Sequence, residues 1–200
     1  MSVVNGYATV DQLRAELGDD GGALSTALLE KAINATSRAV DRWTGRRFWA
    51  DTDPVARTYR AEDACRLVVD DISTTTGLLV ATGTDGTFGT SWTLGGDFEL
   101  EPENADADGG AYAWWELVAV GSLSFPCARR RSVQVTARFG WSAVPDQVVE
   151  ATILRAVAIF KRKESPYGVA DFGEFGPVRI TRKDPDVMDL LSPFQRPMVA

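Results

Sequence analysis

The sequence contains no histidine among its 200 residues. Histidine is the most frequent general base in enzymes and the most frequent metal ligand in proteins. Its absence excludes the Ser-His-Asp and Cys-His nucleophile arrangements, because each needs an imidazole to accept a proton. Together with the acidic groups weighed below, this leads us to expect no catalytic residues, no metal ligands and no cofactor.

Cysteine and long apolar runs are also scarce. Cys65 and Cys127 lie far apart, and neither belongs to a Cys-x-x-Cys pair. The N-terminus lacks the basic start and apolar run of a signal peptide, so free thiols are favoured over a disulfide. The longest candidate for a membrane span, Val144 to Phe160, contains Asp146 and Arg155. We therefore expect no contact with a membrane.

Basic residues are fewer than acidic ones: 21 Lys and Arg residues against 28 Asp and Glu residues give a net charge of −7. Domains that read DNA sequence are usually basic, because the phosphate backbone dominates their affinity. Specific binding of nucleic acid is therefore not expected. The hydrophobic content of 44% is nevertheless sufficient to fill a core.

Two helices are predicted near the N-terminus. In the first, Tyr7 to Gly18, Thr9 and Gln12 match a capping box, and Gly18 supplies the end of the helix. A short polar loop leads to the second, within Ser25 to Phe48, so the two helices should pack as a hairpin. The apolar stripe of the second helix is Leu29, Ile33, Val40 and Trp43, with Thr36 filling the gap. Its opposite side is polar and is expected to face solvent.

Between Arg57 and Trp141 the hydrophobic pattern has a period of two, which is typical of half-buried strands. Strands are predicted at Arg57–Ala61, Leu67–Asp70, Leu78–Thr82, Ser91–Leu94, Phe98–Glu101, Trp115–Val120 and Val133–Trp141. Asp85-Gly86 is a two-residue hairpin signal.

The helical pattern returns at Pro145, which is expected at the first helical position, and it runs to about Phe160. Its apolar residues wrap most of the circumference, so this helix should be central. The stretch Glu164 to Pro177 is predicted to be a loop. A short strand at Val178–Thr181, a short helix at Asp184–Leu191 and an extended tail with exposed Phe194 and Arg196 are predicted to follow.

The predicted fold class is α+β. Residues 1–50 and 142–200 should form a small helical bundle of three main helices and a short C-terminal helix. Residues 51–141 should form an inserted antiparallel β unit that resembles a sandwich or barrel.

The acidic stretch Asp97 to Gly110 suggests a calcium loop. Asn104, Asp106 and Asp108 fit the first half of an EF-hand, but its bidentate twelfth position falls on Trp115. A solvated hairpin loop is favoured over a bound ion.

Other groups have both a functional and a structural interpretation. Adjacent carboxylates at Asp70-Asp71 should point to opposite faces of a strand, so they cannot converge on one substrate atom. Trp92, Trp114 and Trp115 could form a sugar-binding platform, although core or subunit contact is favoured. Arg129 to Arg131 is either a solvated turn or an interface with an acidic neighbour.

The order of these parts resembles the head–tail adaptor (connector) proteins of long-tailed bacteriophages. The matching pieces are TVDQLRAELG, LLEKAINATSRAVDRWTGRRF, VPDQVVEATILRAVAIFKRK and VRITRKDPDVMDLLSPFQRP. They cover the helical half of the chain. The last piece looks most like the adaptor proteins of phages that infect actinobacteria. The large β insertion is similar only to that of the longer members of the family.

The resemblance implies a structural protein of the virion neck that is made in the host cytoplasm. Family members form a ring, typically of twelve subunits, between the portal protein and a stopper or other tail-side neck protein. Genomic DNA passes through the ring without specific binding. Alternatives are another neck component, such as a stopper or tail-completion protein, and a carbohydrate- or receptor-binding module.

The resemblance also implies contact residues. Family members reach the portal through their C-terminal segment, which implies portal contacts at Asp184, Asp186, Phe194, Arg196 and Pro197. The polar side of the long helix and the turn after it become candidates for contact between ring subunits, through Glu30, Arg38, Asp41, Arg42 and Arg46.

Overall fold

The structure is a computed structural model that describes residues 2–83, 86–105, 107, 112–127, 130–164, 169–171, 177–179 and 184–196. The fold is α+β, as expected, with helices at both ends of the chain and an antiparallel sheet between them. The chain divides into two compact units. We name them the helical unit, Met1–Arg46 with Val144–Ala200, and the sheet unit, Arg47–Ala143.

Helix α1 spans Val10–Leu17, and its caps are those expected from the sequence. The Thr9 hydroxyl accepts a hydrogen bond from the Gln12 backbone N–H at 3.1 Å, and the Gln12 side chain accepts one from the Thr9 N–H at 2.8 Å. Gly18 ends the helix in the left-handed conformation, with φ of 68°. The capping box therefore sets the start of α1, and glycine sets its end.

Helix α2 spans Thr26–Thr44 and ends at Gly45, which has φ of 68°. Its buried stripe contains Leu29, Ile33, Thr36 and Val40, as predicted. Trp43 was expected in the same stripe, but this prediction is wrong, since Trp43 is 37% exposed. The stripe continues by a four-residue step from Val40 to Thr44, which is 2% exposed and whose hydroxyl donates to the Val40 carbonyl.

Helix α3 spans Asp146–Glu164 and is central to the helical unit, because it packs against α1, α2 and the last helix. Pro145 precedes the helix, so its expected place at the first helical position is off by one residue. Val148, Ala151 and Ala156 are fully buried, and part of α3 joins α1 and α2 in one hydrophobic cluster.

Helix α4 spans Pro185–Leu191, and a 3-10 turn follows at Ser192–Phe194. The expectation of an extended, exposed tail is wrong for this part, because Phe194 is only 5% exposed. The sequence SPF continues the helical path for one more turn, and its aromatic ring is buried.

The sheet unit contains β1 Val55–Tyr59, β2 Arg66–Thr82, β3 Thr90–Trp92, β4 Phe98–Glu101, β5 Trp114–Ala119 and β6 Val133–Phe139. They form one antiparallel sheet in the order β1-β6-β2-β5-β4, and β3 also pairs with β2. β1 and β4 are therefore the two ends of the sheet order.

Strand β2 has 17 residues, whereas the sequence predicted two separate strands at Leu67–Asp70 and Leu78–Thr82. The intervening residues carry three consecutive threonines, which are β-branched and continue the strand. The register on β6 shifts between Ile72 and Thr74 and again between Thr74 and Leu79. Irregularities in the ladder, and not a turn, explain the broken hydrophobic pattern.

The core of the sheet unit follows the alternation that the sequence predicted for β6. Val133, Val135, Ala137 and Phe139 are fully buried, and the residues between them are half-buried. At the end of β6, a Cβ on Gly140 would lie 2.0 Å from the Trp49 carbonyl oxygen. Glycine therefore permits the close approach of these two backbone segments.

A second, two-stranded sheet pairs β7 Val169–Asp171 with β8 Pro177–Arg179. The sequence predicted a loop over the residues of β7, which is wrong for these positions, and a strand near those of β8. The predicted hairpin residue Asp85 lies outside the described residues.

Candidate functional site

Two of the predicted ring-contact residues hold the N-terminal segment against α2. The Arg38 guanidinium donates to the Asn5 carbonyl at 2.7 Å and is ion-paired with Asp41 at 3.0 Å. The Tyr7 hydroxyl donates to Asp41 as well. Arg38 and Asp41 lie on the polar side of α2, with side chains that are 41% and 22% exposed, and both are also engaged within the helical unit.

The other predicted ring-contact residues differ in exposure. Glu30 and Arg46 are half-buried, and Arg42 is exposed. Arg42 lines a groove of about 400 Å³ in the helical unit, which is also lined by Ala39, Val40, Trp43, Arg155, Asp184, Val187, Met188 and Leu191. Asp184, predicted as a portal contact, thus lies in the same groove as Arg42, predicted as a ring contact.

The groove combines apolar and charged walls. Trp43 and Met188 contribute apolar surface from α2 and α4, while Arg42, Arg155 and Asp184 contribute charges of both signs. Among the described residues that line the groove, there is no nucleophile and no pair of carboxylates. Its chemistry suits contact with a side chain or a protein segment rather than a reaction.

The predicted portal-contact residues form part of the C-terminal fold. The Asp184 carboxylate accepts a hydrogen bond from the Asp186 N–H at 3.1 Å and caps α4, while Asp186 is exposed. Phe194 is buried, and half-buried Arg196 donates its backbone N–H to the Thr44 carbonyl at 2.8 Å. Pro197 lies outside the described residues.

In the sheet unit, the carboxylates of Asp70 and Asp51 are paired with arginine. Asp70 accepts hydrogen bonds from Arg57 at 2.7 Å and from the Tyr59 hydroxyl at 2.9 Å. Asp51 is ion-paired with Arg47 at 2.9 Å. Burial, followed by the nearby Asp70 carboxylate, raises the pKa of the Tyr59 hydroxyl well above its usual value. Tyr59 therefore remains a neutral hydrogen-bond donor at physiological pH.

A second arginine cluster lies between β2, β4 and β5. Arg66 donates to both oxygens of Glu116 at 2.8 Å and to Glu101 at 2.5 Å. The hydrogen bonds to Glu116, together with the charges of Glu116 and Glu101, raise the pKa of Arg66 above its usual value. The bidentate pair with Glu116 joins β2 to β5, and the bond to Glu101 connects β4 as well. Both carboxylates are occupied by Arg66 and offer no free base for proton transfer.

Asp70 and Asp71 serve different partners, as predicted for neighbours on a strand. Asp71 is buried, and its carboxylate accepts the indole N–H of Trp141 at 2.9 Å, whereas Asp70 meets Arg57 and Tyr59. The pair therefore does not converge on one point, and the structural interpretation of both residues is confirmed.

Two of the three candidate sugar-platform tryptophans belong to the core. Trp92 is 6% exposed, stacks on Phe125 with a centroid distance of 4.5 Å and donates its indole N–H to Thr82. Trp114 is buried as well, while Trp115 is half-buried. The favoured core interpretation is confirmed for Trp92 and Trp114, so the three tryptophans do not form an exposed platform.

Metal and membrane features give no further site. In the described ranges, no group of acidic or cysteine side chains is arranged to hold a metal ion. Asp106 and Asp108 of the calcium-like loop are outside the described residues. Cys65 and Cys127 are both free thiols. Among the helices that the structure describes, none is long and apolar enough to cross a membrane.

The sheet has opposite charges at its two ends. Where β1 ends and β6 begins, Arg60, Arg130 and Arg131 are exposed, and we name these residues the basic corner. At the other end, β4 and the turn after it carry what we name the acidic edge: Glu99 and Glu103, which are exposed, and half-buried Glu101. The arginine run at Arg129–Arg131 and the acidic stretch at Asp97–Gly110 are apparent in the sequence. Their placement could not be predicted, because it depends on the order of strands in the sheet.

Sequence comparison matches the chain to no protein-family model and to no curated protein. Structure comparison finds similar solved chains. One comes from the neck of the empty gene transfer agent (GTA) particle computed with C6 symmetry, with a TM-score of 0.57 and 18% identity. It aligns with 100% of this chain and 95% of its own length.

Two further chains show the same likeness. One is from the neck of the native GTA particle computed with C12 symmetry, with a TM-score of 0.56, 17% identity and coverage of 100% and 94%. The other is from the virion of the native gene transfer agent particle, with a TM-score of 0.55, 21% identity and coverage of 100% and 95%. The chain therefore shares its fold, over its full length, with chains of gene transfer agent particles.

Proposed function

We propose that this protein is a structural component of a virion neck, the head-to-tail adaptor of a phage-like particle. It forms a ring of twelve subunits below the portal, extends the DNA channel and connects the capsid to a stopper or other tail-side neck protein. It is made in the host cytoplasm, becomes part of the virion at the portal vertex and has no catalytic role.

One observation carries this proposal: the fold likeness to chains of the GTA neck spans 100% of this chain. It includes the sheet unit, so the β insertion is part of the shared fold. The particles computed with C6 and C12 symmetry contain repeated neck subunits, which supports a ring. The adaptor-like order of helices in the sequence supports this position in the neck over that of a stopper.

Charge supports the same role. A net charge of −7 disfavours adhesion to the phosphate backbone, which suits a wall along which DNA slides. In the sheet unit, Asp70 and Glu116 are ion-paired with arginine, so these carboxylates are not available as general bases. A channel part that neither binds nor cuts DNA is consistent with both features.

The portal contact is assigned to the exposed residues of the C-terminal segment. Asp186 is exposed on α4, half-buried Arg196 ends the described chain, and Pro197 follows it. Asp184 and Phe194 support this surface from within, since Asp184 caps α4 and Phe194 is buried.

Ring contacts in the helical unit are assigned to the polar side of α2. Arg42 is exposed on α2. Half-buried Glu30 on α2 and half-buried Arg46, just after α2, are proposed to take part in the same contact. Arg38 and Asp41 contribute by fixing the N-terminal segment on α2.

Co-sedimentation with the portal protein of the same particle tests the portal contact. We expect the unmodified chain to sediment with the portal and Asp186→Lys to remain in the supernatant, because the reversal places a cation on the contact. Glu16→Lys, an equal charge change on exposed α1, is the matched control and should sediment normally. Failure of the unmodified chain to sediment would contradict the adaptor role, and normal sedimentation of Asp186→Lys would contradict this contact.

A further inference from the structure

We propose that successive copies of the chain meet through the two ends of their sheets, the basic corner of one copy against the acidic edge of the next. The partner is thus a second copy of this chain. The inference rests on the proposed ring and names a surface in the sheet unit that closes it.

In the strand order of the sheet, the basic corner and the acidic edge lie at opposite terminal strands. β1 and β4 are the terminal strands of the order β1-β6-β2-β5-β4. A contact between two different surfaces of identical subunits is heterologous, and repetition of such a contact closes into a ring when its rotation allows. The basic corner and the acidic edge are two such different surfaces, and their charges are opposite.

Two charged residues at each end are exposed and form no ion pair among the described residues of one copy, whereas Glu101 and Arg131 are bonded to Arg66 and Thr58. Arg60 and Arg130 form no ion pair in the part of the chain that the structure describes, and the same is true of Glu99 and Glu103. This contrasts with Arg66, which is satisfied by carboxylates of its own unit. A like-charged cluster on a surface is unfavourable by itself, and an opposite cluster on a neighbour relieves the repulsion.

The backbone of β4 indicates that side chains carry the contact. The Phe98 N–H donates to the Thr93 carbonyl at 3.3 Å, and the Phe98 carbonyl accepts from the Gly95 N–H at 2.8 Å. Backbone groups alternate between the two sides of a strand, and those of Asp97 and Val120 meet across the β4–β5 side. Among the residues of β4, Leu100 alone then has a backbone N–H and carbonyl that point away from β5 and could pair with a new strand. A neighbouring strand therefore cannot extend the sheet along β4, and the charged side chains remain as the means of contact.

A contact of exposed charges is sensitive to salt. The Debye length falls from about 30 Å at 0.01 M to about 3 Å at 1 M ionic strength. Dissociation of the ring as salt rises is therefore expected if these charges hold neighbours together.

A charge-swap experiment tests the contact. The acidic-edge variant is Glu99→Arg with Glu103→Arg, and the basic-corner variant is Arg60→Glu with Arg130→Glu. Glu101 and Arg131 are left unchanged, because they bond to Arg66 and Thr58 within the chain. Glu16→Arg on α1 is the control. Assembly of each purified protein is measured at low ionic strength by mass photometry and electron microscopy, and circular dichroism verifies the fold.

Each double variant alone should lose the ring, because both ends of its sheet then carry the same sign. An equimolar mixture should recover rings of alternating variants, since every junction again joins opposite charges. The control should assemble like the unmodified chain. Normal assembly of both double variants, or no recovery on mixing, would overturn the edge contact while leaving the ring intact. Absence of any ring from the unmodified chain would overturn the ring itself.

Discussion

The backbone N–H of Arg196 donates a hydrogen bond to the carbonyl oxygen of Thr44 at 2.8 Å. Thr44 is the last residue of α2, where the final carbonyls have no partner within the helix. The segment after α4 thus satisfies the end of α2, and Phe194 is buried two residues before. The C-terminal segment is part of the fold of the helical unit up to this point, and not a detachable tail.

Phe194→Ala should lower the free energy of unfolding by about 3 kcal/mol, since it removes a buried aromatic side chain and leaves a cavity. Urea denaturation measures the loss. Leu28→Ala is the matched control on α2, where Leu28 is 42% exposed, and it should change stability by less than about 1 kcal/mol. Equal effects of the two substitutions would contradict the burial of Phe194.

Asp71→Ala should destabilise the sheet unit by about 2 kcal/mol, because it leaves the buried indole N–H of Trp141 without its acceptor. Asp71→Asn keeps an acceptor oxygen of similar size and should restore most of the loss. Thermal unfolding followed by tryptophan fluorescence measures both variants. If alanine and asparagine behaved alike, the hydrogen bond would not be the cause.

Tyr59 should make the stability of the sheet unit fall in alkaline solution. The folded protein raises the pKa of its hydroxyl, first through burial and then through Asp70, whereas the unfolded chain has the ordinary value near 10. The folded state therefore keeps a proton that the unfolded state loses. This stabilisation is complete below about pH 10 and is lost as the pH rises toward the folded pKa.

Tyr59→Phe removes this titration, so its unfolding free energy should fall less steeply than that of the unmodified protein above about pH 10. Urea denaturation at a series of pH values provides the comparison. Parallel curves for the two proteins would contradict the raised pKa.

Calcium at millimolar concentration should leave the melting temperature unchanged. A bound ion would stabilise the folded state by mass action, but the EF-hand register that begins at Asn104 places Trp115 at the bidentate position. Differential scanning calorimetry with calcium and with a chelator measures the difference. A rise of several degrees with calcium would establish a metal site in this loop.

Local signals in the sequence were sufficient to predict where helices begin and end. Thr9 with Gln12, and Gly18, fix the two ends of α1 through hydrogen bonds and left-handed backbone between near neighbours. The alternation of β6 likewise predicted its buried face. Such features depend on short stretches of chain, so they can be inferred before the fold is known.

Features that depend on distant partners were not predictable. The burial of Phe194 depends on the path of the chain beside α2. The exposure of Trp43 follows because Thr44, and not Trp43, continues the buried stripe in the last turn of α2. The continuity of β2 depends on ladders with β5 and β6. Arg130 and Arg131 and the residues of the acidic edge each belong to a charge run in the sequence, whereas Arg60 does not. Only strand order places the two groups at the two ends of the sheet.

Electron microscopy of the protein mixed with the portal protein of its particle tests the central claim most directly. The account predicts a ring of this chain stacked on the portal, with twelve-fold symmetry around an open channel. Free monomers beside bare portal rings would contradict it.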